Sequence, residues 1–252
     1  MRRNVPVRVL SAMNHAELQG VLTTINVQVP LRSEGRTTDH GELYCIVHLL
    51  SSLPEGYWTF PLELLHSDRP DFQLRTHGRS IGVECVEAVP FNEAKRAKLR
   101  EQGHGASIHF LQRATVDDPV VGSRQMKAEL LREVRRERGE DSGDEADDGD
   151  GWVGDSAERE WADVVLHFAR QKMDVANNPG FQLHEENWLL IYDNWPLPHL
   201  NPRKAADLFL AHPEAQSILQ RFSRVFVMDG SRIWEFSNRA ALHALVKSHD
   251  SD

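Results

Sequence analysis

Two neighbouring segments alternate between apolar and polar residues, which is the pattern of strands with one buried face. They span residues 71–76 and 81–87, and the sequence HGRS turns the chain between them. The apolar side chains of each segment take one face, so Asp71 and Glu84 both fall on the other. The pattern therefore predicts a pair of strands that carries two carboxylates on one side.

Periodicity predicts the other elements along the chain in the same way. Helices are predicted in six segments, at 41–53, 92–102, 123–138, 156–176, 201–211 and 212–222. The third is indicated by charged residues four positions apart, and the last two by a proline at the start of the helix. Ser156 is the expected N-cap of the fourth of these helices. Alternation or a short apolar run predicts strands at 20–31, 59–65 and 187–193, and a terminal hairpin at 224–236 that turns at Asp229 and Gly230.

The composition is that of a water-soluble globular protein. The chain has 252 residues, of which 40% are hydrophobic and 27% charged. No apolar run approaches the ~20 residues that a membrane helix needs, and no signal peptide is evident, so we expect a cytoplasmic protein without membrane contact. Cys45 and Cys85 lie in apolar segments, which predicts two buried free thiols.

An acidic tract at 139–158 accounts for the net charge of −9. The tract contains nine of the 38 acidic residues and neither lysine nor arginine, so the rest of the chain has 29 acidic and 29 basic residues. A segment of this composition buries too little apolar surface to offset its ordering entropy. We therefore predict a single domain over 1–252 with a disordered acidic insertion at 139–158.

Pro70 and Asp71, twelve further residues, and then Glu84, Cys85 and Val86 resemble the PD-(D/E)XK signature of restriction-endonuclease-like nucleases. The stretch PDFQLRTHGRSIGVE is also similar to segments of bacterial proteins of poorly described function. The resemblance covers about residues 40–195, interrupted at about 90–155. It implies a mixed α/β (α+β) fold with elements in the order α-β-β-β-α-β, in which helices flank a mixed central sheet. The interruption would be a helical insertion, and the C-terminal helices and hairpin would lie outside the shared core.

The resemblance implies a metal-dependent nuclease that cleaves phosphodiester bonds of nucleic acid, with DNA expected rather than RNA. Asp71 and Glu84 would be ligands of Mg²⁺ or Mn²⁺, and the carbonyl of Cys85 would add an oxygen. Glu42 occupies the region where many relatives carry an additional acidic ligand. Hard divalent cations of this kind prefer oxygen ligands and leave positions open for a phosphate substrate.

The chain departs from the signature at Val86, where the family has a lysine that positions or deprotonates the attacking water. Lys172 is the candidate replacement, because it extends the apolar stripe of the helix predicted at 156–176. The alternative is that its stem packs on the core while its amine reaches solvent. Gln171 and Glu87 are further candidates for substrate contact and assistance.

The missing lysine leaves a second function class open, a catalytically inactive nuclease fold that binds nucleic acid or a protein partner. A third class is a protein-interaction domain in which the acidic tract docks a basic partner. The oligomeric state is also open, and a homodimer is one option. No HExxH, paired CxxC or Walker sequence occurs, so neither a zinc site nor a phosphate-binding loop is predicted.

Overall fold

The structure is a computed structural model that describes residues 5–109, 113–140, 152–197, 199–237 and 239–246. Within these ranges it contains eight strands, β1 Val7–Ala12, β2 Leu62–His66, β3 Phe72–Thr76, β4 Arg79–Ala88, β5 Glu186–Asp193, β6 Arg224–Met228, β7 Arg232–Phe236 and β8 Ala240–Ala244. The helices are α1 His15–Leu22, α2 Thr38–Ser52, α3 Phe91–Glu101, α4 Ser123–Glu137, α5 Ser156–Asn177, α6 Pro202–Ala211 and α7 Pro213–Arg221.

All eight strands form one mixed sheet, and their order in the sheet follows their order in the chain. Strands β4, β5 and β6 are parallel to one another, and the remaining neighbours are antiparallel. The central strand β4 is paired on both sides, with Val83 opposite Phe72 of β3 and Glu84 opposite Leu189 of β5. The chain thus has the mixed α/β architecture that was expected.

Apolar cores cover both faces of the sheet. One core packs α1 and α2 against strands β1–β7, and the other packs α5, α6 and α7 against strands β4–β7. Helices α3 and α4 pack against each other through Leu99, Met126 and Leu130, outside these two cores. Strand β4 therefore lies between α2 on one face and α5 on the other.

Most elements lie within a few residues of their predicted bounds. The predicted strands at 71–76 and 81–87 correspond to β3 and β4, and the helix at 156–176 corresponds to α5. Asn201 caps α6 by accepting hydrogen bonds from the backbone N–H groups of Arg203 and Lys204, and Pro202 takes the first helical position as expected.

The strand predicted at 20–31 is wrong. Helix α1 continues to Leu22, and residues 23–31 pair with no strand among the described residues. Ile25 and Val27 pack against the core beside α2, whereas Asn26 and Gln28 are exposed. The alternation is real, but it reflects an extended segment with one side buried rather than a member of the sheet. Strands β1 and β8 were not predicted.

The disordered acidic insertion needs a correction at its end. Residues 141–151 lie outside the described ranges, but the last three residues of the tract begin α5. Glu158 is buried there and accepts a hydrogen bond from the backbone N–H of Asn201 at 2.8 Å. The predicted N-cap is also wrong, because Asp155 holds that position and the Ser156 hydroxyl accepts a hydrogen bond from the backbone N–H of Val153.

Cys45 and Cys85 are buried free thiols, as predicted. Burial raises the pKa of both thiols. In the part of the chain that the structure describes, no helix combines the length and apolar character needed to cross a membrane.

Candidate functional site

One lysine contacts both of the carboxylates singled out from the sequence. The Nζ atom of Lys172 lies 2.8 Å from Glu84 Oε2 and 3.2 Å from Asp71 Oδ2. The three side chains come from α5, from β4 and from the residue that precedes β3. The structure therefore brings together Asp71, Glu84 and Lys172 as a cluster, which we call the carboxylate–lysine cluster.

The local backbone holds each carboxylate in place. Asp71 Oδ2 accepts a hydrogen bond from the backbone N–H of Cys85 at 2.7 Å, so the start of β3 is tied to the middle of β4. Glu84 points from β4 toward α5 and is only 2% exposed. Lys172 lies four residues after Phe168 on the face of α5 that packs on the sheet, and its side chain is 19% exposed. The apolar stripe of α5 therefore aims the amine at the two acids.

Gly82 leaves room for the residues around the cluster. It lies on β4 two residues before Glu84, on the same face. A Cβ atom at this position would lie 2.8 Å from His184 Cδ2 and 2.9 Å from Pro70 Cγ. Pro70 precedes Asp71, so the absence of a side chain at Gly82 allows the Asp71 segment to pack closely on β4.

Burial and neighbouring charges both shift the pKa values of the three residues in the cluster. Burial, followed by the charge of Asp71, raises the pKa of Glu84 to about 7. Burial also raises the pKa of Asp71, although Lys172 opposes that rise. For Lys172, burial acts to lower the pKa, but the two adjacent carboxylates outweigh it and hold the pKa above the ordinary value. The lysine is therefore a persistent cation at neutral pH.

Glu42 belongs to a second group beside this cluster. Its Oε2 atom lies 3.3 Å from His66 Nε2, and potential ligand atoms of Asp39, Glu42 and His66 all lie within 4.8 Å of one another. The charge of Glu42 also acts to raise the pKa of both Asp71 and Glu84.

Sequence reasoning missed Asp39 and His66. Asp39 is three residues before Glu42, so both fall on one face of α2, and this spacing was a usable signal. His66 is the last residue of β2 and stacks on Phe72 with ring centroids 4.7 Å apart. Its position beside Glu42 depends on how the sheet packs against α2, which sequence spacing does not reveal.

The other two candidates contact different partners. The Gln171 amide lies 2.8 Å from His167 Nε2, one turn earlier on the exposed part of α5. Glu87 binds Arg32 at 2.6 Å and Arg36 at 3.0 Å. The described contacts therefore place neither Gln171 nor Glu87 in the carboxylate–lysine cluster.

The residues of the cluster fit a hard divalent cation. Glu84 Oε1 is buried and has no hydrogen-bond partner among the described residues, which leaves a carboxylate oxygen available for a ligand. The donors offered by Asp71, Glu84 and the nearby Glu42 are carboxylate oxygens, which suit Mg²⁺ or Mn²⁺ better than the nitrogen and sulfur sites that select zinc. Asp71 and Glu84 are the residues that would hold the ion.

Comparison of the chain with protein-family models, with curated proteins and with solved structures gave no match.

Proposed function

We propose that the protein is a divalent-metal-dependent nuclease that hydrolyses phosphodiester bonds of nucleic acid. The observation that carries the proposal is the contact of Lys172 with both Asp71 and Glu84. Two acids and one lysine are the residue types of the PD-(D/E)XK signature. Here the lysine comes from α5 instead of from the position that Val86 occupies on β4.

The order of elements supports the same proposal. Helix α2, strands β2, β3 and β4, helix α5 and strand β5 follow the α-β-β-β-α-β order of restriction-endonuclease-like folds. In this comparison α3 and α4 are the insertion, and α6, α7 and strands β6–β8 are C-terminal additions.

Each residue of the cluster has a distinct role in the proposed reaction. Asp71 and Glu84 would hold Mg²⁺ or Mn²⁺, with Glu42 adding negative charge nearby. A bound cation of this kind supplies water activation and stabilises charge that develops on a phosphodiester. Because its pKa is raised, Lys172 stays protonated, so it would orient water or a phosphate oxygen through N–H donation rather than act as a base.

One feature of the cluster favours a second candidate function, an inactive fold that binds nucleic acid or a protein partner. Lys172 already compensates one of the two carboxylate charges, and Asp71 Oδ2 is engaged by two donors, the Lys172 ammonium and the Cys85 N–H. A buried ion cluster of this kind also occurs as a purely structural element. The two candidates differ in whether the carboxylates bind metal.

The test is cleavage of single-stranded DNA, duplex DNA and RNA oligonucleotides with Mg²⁺ or Mn²⁺. We expect D71N and E84Q each to lower the rate at least about 100-fold, more than the loss of a residue that only supports a metal ligand. E160Q is the matched control. Like Glu84, Glu160 is buried and forms an ion pair, in its case with Arg113. Circular dichroism checks that all variants fold.

The outcomes separate the two candidates. If D71N and E84Q cleave at the rate of the parent, the nuclease proposal is refuted. If calorimetry detects neither Mg²⁺ nor Mn²⁺ binding while salt-sensitive DNA binding persists, the inactive binding module is the function.

A further inference from the structure

A second polar site lies in a cavity of about 510 Å³ that shares no residue with the carboxylate–lysine cluster. The cavity lies where β4 and β6 begin and β7 ends, against the short 3₁₀ helix Glu55–Tyr57. Its polar lining includes Tyr57, Arg79, Arg224, Glu235, Arg239 and His243. Tyr57 and Arg79 are distant in the chain from the other four, which fall within residues 224–243.

Glu235 organises one wall of the cavity. Its side chain is 4% exposed and accepts hydrogen bonds from the Tyr57 hydroxyl, from Arg224 Nη1 and from His243 Nε2, the last at 3.0 Å. A buried carboxylate with three donors is fully satisfied. Glu235 therefore fixes the position of the groups around it, and its own charge is already compensated.

Arg224 is held rigidly with donors to spare. Its guanidinium carbon lies 5.3 Å from the Tyr57 ring centroid and 5.8 Å from that of Trp188, within the range of cation–π attraction. Its hydrogen bonds to Glu235 and Tyr57 both use Nη1. Among the described residues, Nε and Nη2 have no hydrogen-bond acceptor, so these N–H groups remain for a ligand.

The cavity is lined by more arginine side chains than carboxylates. Arg79 pairs with Glu186 and keeps its side chain 41% exposed, while Arg224 pairs with Glu235. Arg239 is the third, and its charge acts on Tyr57, where it opposes the rise in pKa that burial causes. Among the residues that line the cavity, three are arginines and one, Glu235, is acidic, while Glu186 pairs with Arg79 from outside the lining.

We propose that this cavity binds a phosphate group carried by a nucleotide or by the end of a nucleic acid strand. Guanidinium groups match phosphate oxygens in charge and in planar, two-point geometry. The volume is in the range of small-ligand sites, and the Tyr57 ring is partly exposed there. The proposal does not depend on the nuclease activity.

The test is calorimetric titration of the whole protein with inorganic phosphate and with adenosine 5′-monophosphate, with adenosine as the ligand lacking phosphate. We expect saturable binding of both phosphate compounds, and at least tenfold weaker binding of both by the R79Q/R239Q double variant. Tenfold corresponds to about 1.4 kcal/mol. R8Q is the matched control, because Arg8 also lies on a strand and pairs with a glutamate, Glu63, at the other edge of the sheet.

The single variant R239Q keeps the test valid if the double variant misfolds, because Arg239 is exposed and its replacement should not disturb the fold. R239Q should also weaken the binding of both phosphate compounds. Oligonucleotides with a 5′-phosphate or a 5′-hydroxyl distinguish a strand end from a free nucleotide as the source of the phosphate. The proposal is overturned if phosphate and adenosine 5′-monophosphate do not bind. It is equally overturned if adenosine binds as tightly as its monophosphate, or if R79Q/R239Q binds like R8Q.

Discussion

Replacing Lys172 by methionine tests the carboxylate–lysine cluster without any assumption about catalysis. Methionine keeps the approximate length and apolar stem of lysine but removes the ammonium that lies 2.8 Å from Glu84 and 3.2 Å from Asp71. At an effective dielectric constant of about 20, one charge pair at this distance gains roughly 5 kcal/mol. Desolvation offsets part of that gain, but deleting one partner leaves buried charge uncompensated. The expected loss of unfolding free energy is about 3–5 kcal/mol at pH 8.

The loss should depend on pH, with a direction set by Glu84. Its pKa in the folded protein, about 7, lies above the ordinary value of 4.5. A carboxyl with a raised folded pKa stabilises the fold at pH below 4.5, and this contribution is lost as the pH rises through about 7. Removing Lys172 raises that pKa further, so at pH 5 the carboxyl is neutral and K172M should lose less stability than at pH 8.

The assay is urea-induced unfolding of K172M at pH 5 and pH 8. K204M is the matched control, because Lys204 pairs with Asp155 at 3.5 Å but is 49% exposed, so its loss should be at most about 1 kcal/mol. Adding E84Q to K172M removes the uncompensated charge and should restore much of the stability at pH 8. An unfolding free energy of K172M equal to that of K204M at pH 8 would refute the reasoning.

Two further predictions concern the packing around the site. G82A should lower the unfolding free energy by about 1–3 kcal/mol, because the added Cβ would overlap His184 and Pro70. The control G20A, at an open position in α1, should be neutral or stabilising by up to about 1 kcal/mol. Equal effects of the two substitutions would contradict the tight packing at Gly82. Cys45 and Cys85 should react with a thiol reagent at pH 8 only after denaturant is added, because both are buried with raised pKa values. Rapid labelling of the native protein would show that the core around these cysteines opens.

The pairing of Asp71 with Glu84 could be predicted because it depends on local patterns. Asp71 directly precedes β3 and Glu84 lies on β4, two adjacent strands joined by a tight turn, and a period of two places both residues on one face. Lys172 is distant in sequence, but its place on the apolar face of α5 is visible from helical spacing. Helical spacing does not decide whether its amine turns inward or out to solvent, since both fit the same stripe.

The errors arise where burial and pairing do not coincide. Residues 23–31 alternate because Ile25 and Val27 pack on the core, yet no strand lies beside them among the described residues. Conversely, β1 and β8 are edge strands with several exposed positions, so their apolar pattern is weak although they pair with neighbours. The contacts around Glu235 could not be predicted from the sequence, because they join residues as far apart as Tyr57 and His243.

The order of the strands has a consequence for how the protein forms during translation. Strands β1 to β4 are antiparallel neighbours, so the amino-terminal half of the sheet can assemble while the ribosome is still making the rest. The strands beside Asp71 and Glu84 are complete at that stage, whereas Lys172 is synthesised only after α3 and α4. The nascent chain should therefore keep these two acids protonated or hydrated until α5 docks, which makes helix docking the step that completes the electrostatics of the folded interior.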